Sequence, residues 1–215
     1  MTNMPAQDNS PQSPNPQTAE AWWRTQSATM ALLKHAYKKI GDAEAELARR
    51  EERIQTLEKM ALTDELTGLY NRRGFMAEFE RDMNRMQRQN EQGGLFILFD
   101  LNKFKPINDT YGHVAGDKCL QLVGRTLLKL IRNTDTAARF GGDEFALFLS
   151  STSPEHGFDK AVYVRDSLSA LVQNWKNVKI PIQTSMGTAY CNVGTPFEQV
   201  YEAADKALYA DKGLT

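Results

Sequence analysis

At 215 residues, 41% hydrophobic and 25% charged, the chain has material for one substantial core and a short accessory segment. Its 26 basic and 27 acidic residues nearly cancel, which excludes a global basic field for nucleic acid or an anionic membrane; a polyanion must be met by a local cluster or a metal. No apolar run approaches the roughly 20 residues of a membrane span, no basic start leads into an apolar leader, and Cys119 and Cys191 read as reduced core residues, so a soluble cytoplasmic protein is expected.

Residues 1–18 hold four of the eight prolines among Asn, Gln and Ser, with little to bury, and read as a disordered tail. Residues 19–61 turn helical with a seven-residue repeat of Leu33, Ile40, Leu47, Ile54 and Ala61, interleaved with Ala36, Ala43, Arg50 and Leu57. Such a stripe suits either a helix packed on its own domain or a coiled coil. The run "EAELARREERIQTLEK" is too charged for a core and its seam is narrow, which favours a homodimerising coiled coil. Trp22 and Trp23, on a weakly patterned stretch, serve as a partner surface or as packing against the mate.

Residues 62–215 read as the globular part. Periodicity predicts a helix over 71–86, an apolar strand over 93–101 and a helix over 119–131. Two strands follow about a Gly141-Gly142 turn, then a helix to residue 175, a strand over 180–191 and a helix over 196–212. The middle of this order is the split βαββαβ arrangement of ferredoxin-like domains, an α+β fold with its helices on one sheet face.

Two stretches carry chemistry. In "RFGGDEFALFL" the glycines supply positive φ for a tight turn, and Asp143 and Glu144 stand at its mouth. Alone, such a pair is better explained by a solvated hairpin tip. The second stretch, "FILFDLNKFKPINDTYGHVAGD", leaves an apolar strand at Asp100. It is not an EF-hand loop, because Phe104, Lys105 and Tyr111 fall where oxygen ligands, glycine and glutamate are required. Adjacent central strands presenting Asp100 and Glu144 would offer hard oxygens to Mg²⁺ holding phosphates. Lys105 would offer a point charge to a phosphate, and Asn108 and Asp117 suit a base with both donors and acceptors, such as guanine.

With "LTDELTGLYNRRGF", "DLNKFKPINDTYGH", "ARFGGDEF", "TSMGTA" and "AADKALYADK" in this order, residues 60–213 resemble the GGDEF family of diguanylate cyclases. The resemblance implies condensation of two GTP into cyclic di-GMP with release of two pyrophosphates. It implies that Asp100, Glu144 and the Leu101 carbonyl hold Mg²⁺, with Mn²⁺ as an alternative, and that Asp143 assists deprotonation of the 3′-hydroxyl or helps bind metal. Asn108 and Asp117 would read guanine, Lys105 and Lys212 would contact phosphates, and Gly141 and Gly142 would let the backbone approach the nucleotide. Each domain would hold one GTP, so chemistry requires a homodimer, and the heptads would raise the local concentration of one domain near its twin. Arg132 and Asp135, in "RNTD", resemble an inhibitory site for the product.

Two departures from the family pattern stand out. Asn102 replaces a second aspartate, which removes a charge near the metals, and the chain stops at Gly213, Leu214 and Thr215, where the family continues to a phosphate-binding arginine. The rival reading is a non-catalytic GGDEF module that binds GTP or cyclic di-GMP and signals through the coiled coil; retention of both Asp143 and Glu144 weighs against it. A cyclase of the related fold making another nucleotide is weakened by Asn108 and Asp117.

Overall fold

The computed structural model describes the backbone of residues 16–213 and the side chains of 20–54 and 61–213. The tail expected over 1–18 falls mostly outside these residues, as does the Leu57 side chain. The chain divides into two units, Met1–Gln55 and Thr56–Thr215. Helix α1 (Pro16–Leu62) is continuous over 47 residues. Its column Leu33, Ile40, Leu47 and Ile54 is about half exposed in the single chain. Among the described residues no helix is long and apolar enough to cross a membrane.

The second unit continues with β1 (Tyr70–Asn71), α2 (Arg72–Gln89), β2 (Gly94–Leu101), α3 (Phe104–Tyr111), α4 (His113–Leu130), β3 (Thr136–Gly141) and β4 (Glu144–Leu149). It ends with α5 (Pro154–Ser169), β5 (Val172–Trp175), β6 (Val178–Pro181), β7 (Thr184–Cys191) and α6 (Phe197–Lys212). Five strands form one sheet in the order β1-β3-β4-β2-β7, and β5 and β6 form a separate two-stranded ribbon. Apart from the short parallel pairing of β1 with β3, every neighbour in the sheet is antiparallel. The run β3-β4-β2-β7 is the strand order of the ferredoxin-like core.

Strand β2 explains the layering. All eight of its residues are buried, and its side chains alternate between two cores. Leu95, Ile97, Phe99 and Leu101 face a cluster built with α4 and α5, so the two helices of the βαββαβ unit share one sheet face as expected. Phe96 and Leu98 face a second cluster, built with α2 and α6 and rich in aromatic rings such as Phe75, Phe79 and Phe197. The sequence reading left that second face unassigned.

The local stops are chemical. Asn71 caps α2 by accepting from the Gly74 N–H at 2.9 Å, and Ser153 caps α5 by accepting from the His156 N–H at 3.2 Å with Pro154 in the first turn. Helix α5 ends at Ser169, so the expected helix to residue 175 is corrected: Val172–Trp175 is a strand, paired with Val178–Pro181. The strand expected over 180–191 is correspondingly broken between Pro181 and Thr184. Helix α4 begins at His113, earlier than expected, and α3 and β1 were not anticipated.

Helix α6 lies on the backbone of β7. A Cβ on Gly187 would fall 2.0 Å from the Ala204 carbonyl oxygen and 2.4 Å from the Leu208 nitrogen. Gly187→Ala is therefore expected to destabilise the domain by about 3 kcal/mol through overpacking, seen as a lower urea midpoint at unchanged slope. An unshifted midpoint would mean that α6 is free to move away from the strand.

Candidate active site

The site is assembled where β2 and β4 reach the same end of the sheet. In their antiparallel register Asp100 is the direct partner of Glu144, and on its other side it faces Ser185 of β7. Directly opposed residues lie on one face, so both carboxylates share the side occupied by α6. From that helix Lys212 Nζ reaches Asp100 Oδ2 at 2.7 Å. Asp100 is only 8% exposed.

The glycine turn is displaced by one residue from its expected position. Gly141 pairs with Glu144, and Gly142 and Asp143 form the turn, with an irregularity in register between Arg139 and Gly141. Asp143 is thus a turn residue, where a turn at Gly141-Gly142 would have put it at the start of the strand. Gly141 has φ of 152° and Gly142 of 49°, both in the range that favours glycine, while a Cβ at either would meet nothing within 4 Å. The requirement for glycine at these positions is one of backbone conformation. The Asp143 carbonyl accepts from the Leu101 N–H at 3.2 Å, which ties the turn to the end of β2.

Electrostatics follow from this crowding. Burial raises the pKa of Glu144, and the negative charges of Asp100 and Asp143 raise it further, against the attraction of Lys212. Burial and the Asp100 charge likewise raise Asp143, against Lys212 and Arg139. Three carboxylates therefore compete for few cations. Among the described residues no three His, Cys, Asp or Glu side chains form a closed metal cage.

Asn102 has a defined role in the packing. Its Oδ1 accepts from the fully buried Ser185 hydroxyl at 2.9 Å, and its backbone N–H donates to the Gln183 carbonyl at 2.8 Å. Next to it, Lys103 adopts a left-handed conformation, φ 59°, at the start of α3.

Helices α3 and α4 meet at Gly112, φ 84°, and carry the base-facing candidates. Asn108 lies on α3 with its Oδ1 buried and without a hydrogen-bond partner among the described residues. A Cβ on Gly116 would come within 1.9 Å of that oxygen, so only glycine admits this packing. Lys105 is exposed in the first turn of α3, and Asp117 is exposed one turn into α4.

Arg132 and Asp135 are not part of this assembly. They form the turn that precedes β3, whose six residues separate it from the glycine hairpin by roughly 20 Å. Asp135 Oδ2 accepts from the Arg132 N–H at 2.9 Å, and the Asp135 N–H donates to the Arg132 carbonyl at 3.0 Å, closing the turn on itself. Burial raises the Asp135 pKa, with these contacts opposing it.

Sequence reasoning missed one group in the hairpin. Arg139 donates through Nε and Nη2 to the Gly142 carbonyl at 3.0 and 2.7 Å, and its Nη1 lies 3.2 Å from Asp64 Oδ2. One guanidinium thus fixes the glycine turn to the segment after α1. Both residues lie inside stretches that carried the resemblance, which was the available signal.

The sequence profile described as "Diguanylate cyclase, GGDEF domain" matches residues 61–214. Diguanylate cyclase DgcP of Pseudomonas aeruginosa is 36% identical over 184 residues, covering 85% of this chain and 26% of that protein. Diguanylate cyclase VdcA of Vibrio cholerae is 34% identical over 179 residues, covering 81% of this chain and 51% of that protein. The chain thus spans between a quarter and a half of these relatives. Among solved structures, the coiled coil and GGDEF domain of DgcB from Caulobacter crescentus, in complex with c-di-GMP, superposes with a TM-score of 0.73 at 28% identity, covering 81% of this chain and 93% of that one. Diguanylate cyclase SiaD of Pseudomonas aeruginosa, in complex with its activator SiaC, gives 0.68 at 26% identity, covering 92% and 77%.

Proposed function

We propose, because this chain belongs to the GGDEF family of diguanylate cyclases, that it joins two GTP molecules into cyclic di-GMP and releases two pyrophosphates. The observation that carries this reading is the direct pairing of Asp100 with Glu144 beside the Gly142-Asp143 turn. Asp100, Glu144 and the Leu101 carbonyl are the groups that would hold Mg²⁺ or Mn²⁺. The cation would supply charge stabilisation at the reacting phosphate and lower the pKa of the attacking hydroxyl.

The chain's own groups do the rest. Asp143, with its raised pKa, is suited to take the 3′-hydroxyl proton. Lys212 pairs with Asp100 and would also contact phosphate oxygens of a bound nucleotide. Lys105 adds a second point charge, while Gly141 and Gly142 keep side chains away from the nucleotide. Asp117, exposed on α4, supplies an acceptor for the donors on guanine, and Asn108 would read the base once its amide, whose Oδ1 is buried against Gly116, turns toward it.

Each bond is formed between two nucleotides held by different copies, so the active species is a homodimer, and α1 is the element that brings the copies together. Pyrophosphate release from GTP should require Mg²⁺, and specific activity should rise with protein concentration to a plateau. Removing residues 33–61 should move that plateau to higher concentration; full turnover of the shortened chain at low concentration would contradict the dimer. GTP binding without pyrophosphate release would instead favour a non-catalytic binding module.

The Arg132–Asp135 turn is the proposed product site. Arg132→Ala is expected to relieve inhibition by added cyclic di-GMP at least about tenfold, with initial turnover retained, since a charge-assisted contact is worth roughly 1.5–3 kcal/mol. Unchanged inhibition would refute this role.

A further inference from the structure

Helix α1 exposes more apolar surface than one coiled-coil seam consumes. Leu33, Ile40, Leu47 and Ile54 form a column at seven-residue spacing. Beside this column on one flank stand Trp23, Met30, Tyr37, Glu44 and Glu51; on the other stand Trp22, Thr29, Ala36, Ala43 and Arg50. A seam uses the column and one flank. Before Ile40 the first flank is the apolar one, with Trp23 62%, Met30 52% and Tyr37 72% exposed in the single chain. After Ile40 that flank turns acidic, and the second flank supplies Ala43.

A seam that kept to the first flank would set Glu44 against Glu44 and Glu51 against Glu51, two carboxylate pairs on short stems, whereas the second flank beyond Ile40 sets only Arg50 against Arg50, whose long stem lets the guanidinium reach water. One that kept to the second would leave Trp23, Met30 and Tyr37 in water. We infer that in the homodimer two copies of α1 pair in parallel along a seam that changes flank at Ile40–Gly41. It runs through Trp23, Met30, Leu33, Tyr37 and Ile40, then through Ile40, Ala43, Leu47, Arg50 and Ile54.

Three observations support the second copy as occupant and this point as the crossing. Seam positions 37, 40 and 43 follow each other by two steps of three, which is a three-residue insertion in the heptad pattern and overwinds the pair locally. Gly41 sits at that point within an unbroken helix, and a Cβ there would meet nothing within 4 Å. Among the described residues nothing demands glycine at this position, where glycine weakens a helix, whereas a locally overwound pair gains from its backbone freedom. Across the crossing, parallel pairing sets Lys39 of one copy against Glu44 of the other, an attractive contact that offsets the like-charged pair Glu46–Glu51 one heptad on.

The inference rests on the α1 homodimer proposed above, and cysteine scanning separates the two. Single cysteines are placed in the full chain at Met30, Tyr37, Ala43 and Arg50, and in parallel at Thr29, Ala36, Glu44 and Glu51, followed by mild oxidation. All eight positions are exposed on α1, while native Cys119 and Cys191 are buried. Disulfide dimers should form at positions 30, 37, 43 and 50 at least about tenfold faster than at the other four, since bridging fails when the Cα atoms lie beyond about 7 Å. Dimers at 29, 36, 43 and 50, or at 30, 37, 44 and 51, would show one unbroken seam and overturn the crossing alone. No dimer at any position would overturn the α1 pairing itself.

Discussion

Glu144→Gln is expected to lower turnover by about 10³-fold or more, equivalent to ~4 kcal/mol of transition-state stabilisation, while leaving the fold intact. The substitution keeps the shape of the side chain and removes one of two carboxylates opposed across β2 and β4. It also makes a prediction opposite in sign for stability. Burial, with repulsion from Asp100 and Asp143, raises the folded-state pKa of Glu144 above its ordinary value of about 4.3. A carboxylate with a raised pKa contributes stability below its unfolded value and loses it as the pH rises through the folded value. At neutral pH the metal-free cluster therefore works against folding. The variant should melt at a higher temperature than the parent without Mg²⁺, and Mg²⁺ should raise the melting temperature of the parent more than that of the variant. A variant that lost stability without metal would contradict the electrostatic account of the site.

Arg139→Ala is expected to lower kcat about 100-fold with little change in KM for GTP, because a misplaced catalytic turn costs rate without removing a ligand contact. Arg139 acts as a positioning residue: its two bonds to the Gly142 carbonyl set the turn that carries Asp143. The same change should cost about 1–2 kcal/mol of stability through lost hydrogen bonds. Part of that cost depends on pH. Burial pulls the Asp64 carboxyl upward, yet hydrogen bonds from Thr67 and the charge of Arg139 hold it below its ordinary value. A depressed pKa contributes stability above the unfolded value, near 3.9, and loses it as the pH falls through the folded value. The stability gap between parent and variant should therefore shrink below about pH 4. Arg139→Lys keeps the charge without the planar fork and should recover stability better than kcat. Recovery of kcat by lysine would show that charge alone suffices.

What was legible in the sequence were the elements with a strong period and the acids grouped in short stretches. Strand β2 is apolar up to Asp100 because it is covered on both faces, and the acid at its end marked the site. Helices α2 and α6 showed their buried residues at helical spacing. The β5–β6 ribbon was hidden because its turn at Lys176 has φ of 46° without a glycine or proline to announce it, and the helical run before it continued through Ala170 and Leu171. Helix α4 was read too short because Gly116 interrupts its first turns, a glycine required only by the tertiary approach of Asn108. Strand β1 spans two residues and exists only through pairing with β3.

In the site, the pairing of Asp100 with Glu144 followed from adjacent strands and was anticipated. The contacts of Arg139 with Asp64, Lys212 with Asp100 and Ser185 with Asn102 join positions 75, 112 and 83 residues apart and carry no local pattern. The Ser185 bond also recasts Asn102. The amide is built into the link between β7 and the start of α3, a position that serves packing as well as electrostatics.

The central claim is tested most directly by incubating the purified chain with GTP and Mg²⁺ and identifying the products by mass spectrometry, with Glu144→Gln alongside. The account predicts cyclic di-GMP from the parent, with two pyrophosphates for each molecule formed, and none detectable from the variant. Equal product from both, or no cyclic dinucleotide from a folded parent that binds GTP, would contradict it.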